Sequence, residues 1–183
     1  MLDGPALMAE FSAWANERLY SACATLSESE LAAERGAFFG SILGTLNHIL
    51  LVNILYRERL ESDGRSQFKR LDDILHTDVG ALREAQRAED AWYVDRVSSA
   101  SEAELDDETV GFYTLLDDPE YWEVSQRLYF SNLFQHQIHH RGQVHNMLSQ
   151  AGLDPPPIGY IEYHVELATH VKRTPPAGSG ARL

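Results

Sequence analysis

What this chain of 183 residues has little of narrows its identity first. It carries a single cysteine, Cys23, so neither an internal disulfide framework nor a cysteine-rich metal cluster can form. No apolar run reaches the roughly 18 residues that a membrane span needs, and no membrane partner is expected. The opening segment, MLDGPALMAEF, lacks a basic stretch followed by a long apolar core. No secretion signal is therefore expected, and the expected compartment is the cytoplasm. Basic residues are outnumbered, 15 against 28 acidic ones, for a formal net charge of −13. No block of Lys and Arg offsets this locally. Such a surface repels phosphate, which argues against a nucleic-acid partner. What is present is a hydrophobic fraction of 44%, typical of a folded soluble protein, in a length suited to one domain with a full core. The expected division is a single domain over 1–173 and a flexible Pro/Gly/Ser tail over 174–183.

Helical periodicity dominates. Asp3 as N-cap and Pro5 near the first helical position announce a first helix, whose apolar face is Leu7, Phe11, Trp14 and Leu19. Ser27 to Glu30 reads as a polar connection or a fresh capping segment. Ile42, Leu46, Leu50 and Ile54 predict a second helix from about Phe38 to Leu60, closed by Asp63-Gly64. Ile74, Leu75, Val79, Leu82 and Trp92 predict a third, from about Leu71 to Val97, with Arg83, Glu84, Arg87, Glu89 and Asp90 on its solvated face. Between Thr109 and Glu123, strand-prone Val110, Phe112, Tyr113, Tyr121 and Trp122 flank the turn signal Asp117-Asp118-Pro119. A short β-hairpin or extended excursion is expected there. A fourth helix should run from near Ser125 to Gly152, where Gly is a natural C-cap and Pro155-Pro156-Pro157 forbids continuation. The fold class is thus all-α: a four-helix bundle with one longer crossover and an excursion before the last helix.

Eight histidines are present, four of them within the last helix: His136, His139, His140 and His145. Residues four apart share a helical face, so His136 and His140 project together. They fall on the core stripe Leu133, His136, His140, Val144 and Met147; a second apolar stripe runs through Phe130, Phe134 and Ile138. Two imidazoles in a core need partners for their nitrogens, and a divalent metal would satisfy both. Its third ligand would be His48, on the stripe Gly44, His48, Leu51 and Leu55, where Gly44 leaves room beside it. The alternative is a set of hydrogen-bonded core histidines. One step along a helix turns a side chain by about 100°, so His139 cannot share the inward direction, and His139 and His145 read as rim and helix-face residues. Arg141 and Gln143 fall on the outward or flanking arc, placed to cap a neighbouring helix or to hold a ligand ring. His76, His164 and His170 read as surface or loop residues, Cys23 as a small buried apolar residue, and Trp14 and Trp92 as core.

The run Gln135–His145, QHQIHHRGQVH, resembles the signature of the DinB/YfiT-like family of four-helix-bundle proteins, in which a helix carries HxxxHRGQ. Gly40–His48, GSILGTLNH, is similar to the family's LxH segment, and Trp14-Ala15-Asn16 and Ala151–Pro156 fit as well. The resemblance covers the chain to about residue 160. It implies an up-down-down-up bundle, often a homodimer, with a divalent metal held by His48, His136 and His140. The family name reflects induction by DNA damage and no action on DNA. Gln135 stands where relatives often have Asn, and Asn53 and Tyr56 stand where they often have an acidic residue and Trp.

Imidazole donors suit zinc or nickel. Three neutral imidazoles leave the ion its full charge, so a bound water would drop to a pKa of about 7, or a thiol would bind as thiolate. Some relatives are thiol-dependent S-transferases or isomerases. The resemblance therefore implies a metal-dependent hydrolase or a thiol S-transferase acting on a small molecule, with a low-molecular-weight thiol as a partner. No HExxH is present, which excludes a zincin peptidase by pattern. Tyr113 or Glu123 could reach the site from the excursion; the catalytic residues are otherwise open. The reading from a different class is a non-catalytic, stress-related, metal-binding dimeric module. An open coordination position facing a pocket would favour the enzyme.

Overall fold

Pro5 sits at the first helical position, where its missing N–H costs nothing. It opens α1 (Pro5–Cys23) with Gly4 as N-cap in the computed structural model, which describes residues 4–167. Asp3, His170 and the 174–183 tail lie outside the described residues. Ser27 and Glu30 exchange side-chain and backbone hydrogen bonds in a capping box that starts the short α2 (Glu28–Ala32). Side-chain caps then open α3 (Ile42–Glu61, Ser41), α4 (Val79–Ser98, Asp78), α5 (Glu102–Asp107, Ser101) and α6 (Gln126–Gln150, Ser125). Between α5 and α6, β1 (Thr109–Tyr113) and β2 (Tyr121–Ser125) pair antiparallel, with Phe112 opposite Trp122. This is the expected hairpin. α7 (Tyr160–Glu166) follows the proline run.

The helix starts differ from expectation in two places. α3 begins at Ile42, because Gly40 takes a positive φ of 73° and Ser41 caps the next turn; Phe38 is left 86% exposed in the preceding turn. α4 begins at Val79, not Leu71. The Asp78 carboxylate accepts from Ala81 N, and the backbone upstream is held by tertiary contacts instead of helical ones. Asn47 Oδ1 accepts from Leu75 N and His76 N, and Asn47 Nδ2 donates to His76 O, all at 2.8–2.9 Å. The 62–78 segment is therefore a connection pinned to α3. α5 and α7 are helices that periodicity did not predict.

Two core clusters fix the directions of the four long helices. One gathers Leu19 and Cys23 from the end of α1, Ile42 and Leu46 from the start of α3, Leu82 from the start of α4, and Val144 and Met147 from the end of α6. The other gathers the opposite ends: Ala9, Leu55, Val97, Phe130 and Phe134. Hence α1 and α6 run one way and α3 and α4 the other, which is the up-down-down-up arrangement. Ile138, expected on an inward stripe, is 43% exposed. No helix among the described residues is long and apolar enough to cross a membrane.

Candidate metal centre

α3 and α6 pack side by side and bring His48, His136 and His140 together. Their candidate ligand nitrogens all lie within 4.8 Å of one another, and the ring centroids are 4.3–4.9 Å apart. His48 and His140 are buried and His136 is half-buried. The stripes that placed these residues inward therefore hold.

Two of the three rings are oriented by hydrogen bonds from outside the cluster. His48 Nδ1 lies 2.8 Å from Leu71 O. A carbonyl only accepts, so Nδ1 carries the proton and Nε2 offers its lone pair. Leu71 reaches this position because the 62–78 segment is pinned by Asn47. His140 Nδ1 lies 2.9 Å from Gln143 Oε1 and donates to it, while Gln143 Nε2 donates to His139 Nε2 at 3.1 Å. His140 Nε2 is thereby also left with its lone pair. Gln143 holds a ring of the cluster, as one of its two expected roles, and His139 is an exposed rim residue. Phe39 stacks on His48, centroids 3.8 Å apart and planes 19° apart, and meets His140 edge-on. Gly44 permits this. A Cβ there would stand 2.3 Å from Phe39 O, so only glycine lets that segment close on the helix.

The rings are neutral at physiological pH. Burial pushes His48 down to about 4 and His136 down to about 3, with the neighbouring His140 adding to both, and burial also lowers His140. His48 Nε2 and His136 Nε2 are 3.0 Å apart. With a proton on His136 Nδ1, two lone pairs face each other. With the proton on Nε2 the contact becomes a hydrogen bond, and Nδ1, a buried atom with no hydrogen-bond partner among the described residues, keeps an unsatisfied lone pair. No tautomer satisfies the pair. A divalent cation would remove the lone-pair clash by accepting both Nε2 donors, leaving only the His136 Nδ1–H without a partner among the described residues; two tetrahedral ligands with bonds of 2.0–2.1 Å lie about 3.3 Å apart, near the spacing of this pair. The donor set thus fits a divalent ion, and the cluster could hold one.

Beside the cluster lies a cavity of about 260 Å³, lined by Val52, Leu55, Tyr56 and Arg59 of α3, by Leu71, by Phe112, Thr114 and Leu115 of the hairpin region, and by His136. Tyr113 and Glu123 are not among these lining residues. Tyr113 packs against Arg65 and Tyr121, and Glu123 is exposed on β2. The excursion contributes Phe112 and Leu115 in their place.

Other expectations differ from the structure. Glu89 and Asp90 are buried and not on a solvated face, because Arg57 takes the Glu89 carboxylate and Asn16 that of Asp90. Arg141 does not face outward. It is fully buried, donating to Asn16 Oδ1 at 3.2 Å and to Gln137 Oε1 at 3.0 Å, and Asn16 in turn donates to the buried Asp90. This polar layer ties α1, α4 and α6 together. His164 is buried in α7 against Tyr160 and Tyr163 and is not a surface residue. Cys23 is buried, and its thiol is pushed up to about 12 by burial, so it is no nucleophile. Asn47, Leu71, Phe39 and Arg59 were not singled out by sequence reasoning. Asn47 alone left a signal, as a polar residue beside His48 within an apolar helix.

The profile of the DinB family matches residues 1–171. Among solved structures, a DinB-like protein from Bacillus subtilis superposes with a TM-score of 0.58 at 16% identity, covering 82% of this chain and 95% of that one. A DinB-like protein from Bacillus cereus gives a TM-score of 0.54 at 17% identity, covering 78% and 89%. Comparison with curated proteins gave no match.

Proposed function

This chain belongs to the DinB family, and on that premise we propose that it is a divalent-metal-dependent enzyme acting on a small molecule, with His48, His136 and His140 as the metal ligands. The observation that carries the reading is the double position of His136. Its ring belongs to the three-histidine cluster and also lines the neighbouring cavity. A ligand in that cavity would sit against the cluster.

The residues have separable roles. Leu71 O and Gln143 Oε1 hold the rings of His48 and His140 in the tautomer that leaves Nε2 free. Phe39 covers His48 and Gly44 makes room for Phe39. Burial keeps the imidazoles neutral, so protons do not compete for the donor atoms near pH 7. A divalent ion, when bound, supplies Lewis acidity that turns a water or a thiol into a nucleophile near neutral pH. Val52, Leu55 and Phe112 would exclude bulk water from the bound small molecule.

The proposal includes zinc or nickel as the metal, transfer to a low-molecular-weight thiol or hydrolysis as the reaction, and a homodimer as the assembly. The test is a turnover screen on tag-free protein, with thiol plus electrophile in one arm and small esters and amides in the other. Turnover should be lost on chelation, restored by zinc or nickel, and absent in His136→Ala. Stoichiometric metal without turnover in either arm would favour the non-catalytic dimeric module. Sedimentation should give a mass near twice 20.6 kDa, and a monomer mass would remove the dimer.

A further inference from the structure

Most arginines of this acidic chain have a carboxylate close by. Arg57, for example, is bidentate to Glu89, with both contacts at 2.9 Å. Arg59, two residues on, differs. It is buried, with 7% exposure. Among the described residues no carboxylate pairs with it, and its Nε is buried without a hydrogen-bond partner. One Nη donates to Tyr113 O at 2.6 Å, the Tyr129 hydroxyl is a further hydrogen-bond partner, and the guanidinium lies over the Phe112 ring, 4.7 Å from its centre. A buried cation without a counter-charge is costly. Arg59 is also the one cationic side chain among the residues lining the cavity that His136 borders.

The helix sets the layout. His48, Val52, Leu55, Tyr56 and Arg59 follow one face of α3 at spacings of 4, 3, 1 and 3. His48 and Arg59 are eleven residues apart, about 16 Å along the axis. Side chains tilt toward the helix N-terminus, which leans the guanidinium back toward His48. The wall between them is apolar: Val52 and Leu55 on one side, Phe112 and Leu115 on the other. A planar guanidinium suits the two oxygens of a carboxylate. A phosphate dianion would call for more cations than this wall offers.

We propose that the cavity binds a small carboxylate with an apolar or aromatic body, its carboxylate held by Arg59 and its other end directed at His136. This names the substrate class of the site proposed above, and the assignment of the reactive end rests on that reading.

The experiment titrates full-length protein with 3-phenylpropionate, 3-phenylpropionamide and inorganic phosphate, in chelator-treated and zinc-loaded forms, by calorimetry and by the Arg59 Nε–H resonance. The acid should bind about tenfold or more tighter than the amide in both forms and should shift that resonance. Phosphate should bind no better than the amide. In Arg59→Gln the acid–amide difference should collapse while metal content is unchanged. Equal binding of acid and amide, or a preference that survives in Arg59→Gln, overturns the proposal. A preference seen only with zinc assigns the carboxylate to the metal and overturns the role of Arg59, while leaving the three-histidine reading standing. Wild-type protein that takes up no zinc yet keeps the acid–amide preference removes the metal reading alone and leaves the role of Arg59 standing. Should Arg59→Gln fail to fold, the wild-type acid–amide comparison with the Arg59 resonance decides.

Discussion

Acid should unfold the metal-free protein through its histidines. Free imidazoles titrate near 6.5, whereas burial holds His48 at about 4 and His136 at about 3. Between about pH 6.5 and about pH 4.5, the unfolded chain takes up a proton at each ring and the native chain at neither. Stability follows this difference in bound protons. The contribution is fully present above about pH 6.5 and is lost as pH falls. Each group changes stability by about 1.4 kcal/mol per pH unit, so the pair removes about 5 kcal/mol by about pH 4.5. That is as large as the whole stability of many domains. His140, also lowered by burial, steepens the slope. Glu17, held down to about 2 by Arg83 and Arg87, weakens in acid too, so the histidine share must be taken by difference. Urea unfolding of chelator-treated wild type and His136→Leu, across about pH 5 to 7, gives the two slopes. The wild-type slope should be steeper by about one proton. Equal slopes would refute the claim that His136 is held neutral by its surroundings.

Asn47→Ala should cost about 3 kcal/mol in thermal or urea unfolding, because Leu75 N, His76 N and His76 O lose their partner together. It should also speed amide exchange around Leu71 and weaken zinc affinity; unchanged exchange there would show that Asn47 does not position the segment. Gly44→Ala places a methyl 2.3 Å from Phe39 O and should cost about 1–3 kcal/mol. The Phe39 ring should leave His48, read as a shift in the His48 ring resonances, and an unmoved resonance would contradict the packing argument.

The last helix was readable because local signals agreed at both ends and along the middle. Ser125 caps it, Gly152 and the prolines stop it, and the core stripe carries His136 and His140 inward. The same holds for His48 on its apolar stripe. Local periodicity misled where tertiary contacts replaced it. Leu71, Ile74, Leu75 and Val79 have helical spacing, but Asn47 takes the backbone groups of Leu75 and His76, and Asp78 offers a fresh cap. Arg141 looked like a surface charge because its partners Asn16 and Gln137 belong to a buried layer built from different helices. Arg59 near the end of α3 has no signal of its own in the sequence; only the hairpin folding over it makes it a cavity residue.

Metal content of tag-free protein tests the central claim most directly. Wild type and His139→Ala, grown with zinc and nickel available, should each carry about one ion per chain, and His140→Ala should carry none. The distinction is geometric: His140 is buried within the cluster, whereas His139 is exposed at its rim. Wild-type protein without metal would contradict the account. So would an ion retained by His140→Ala and lost by His139→Ala, which would redraw the site around His139.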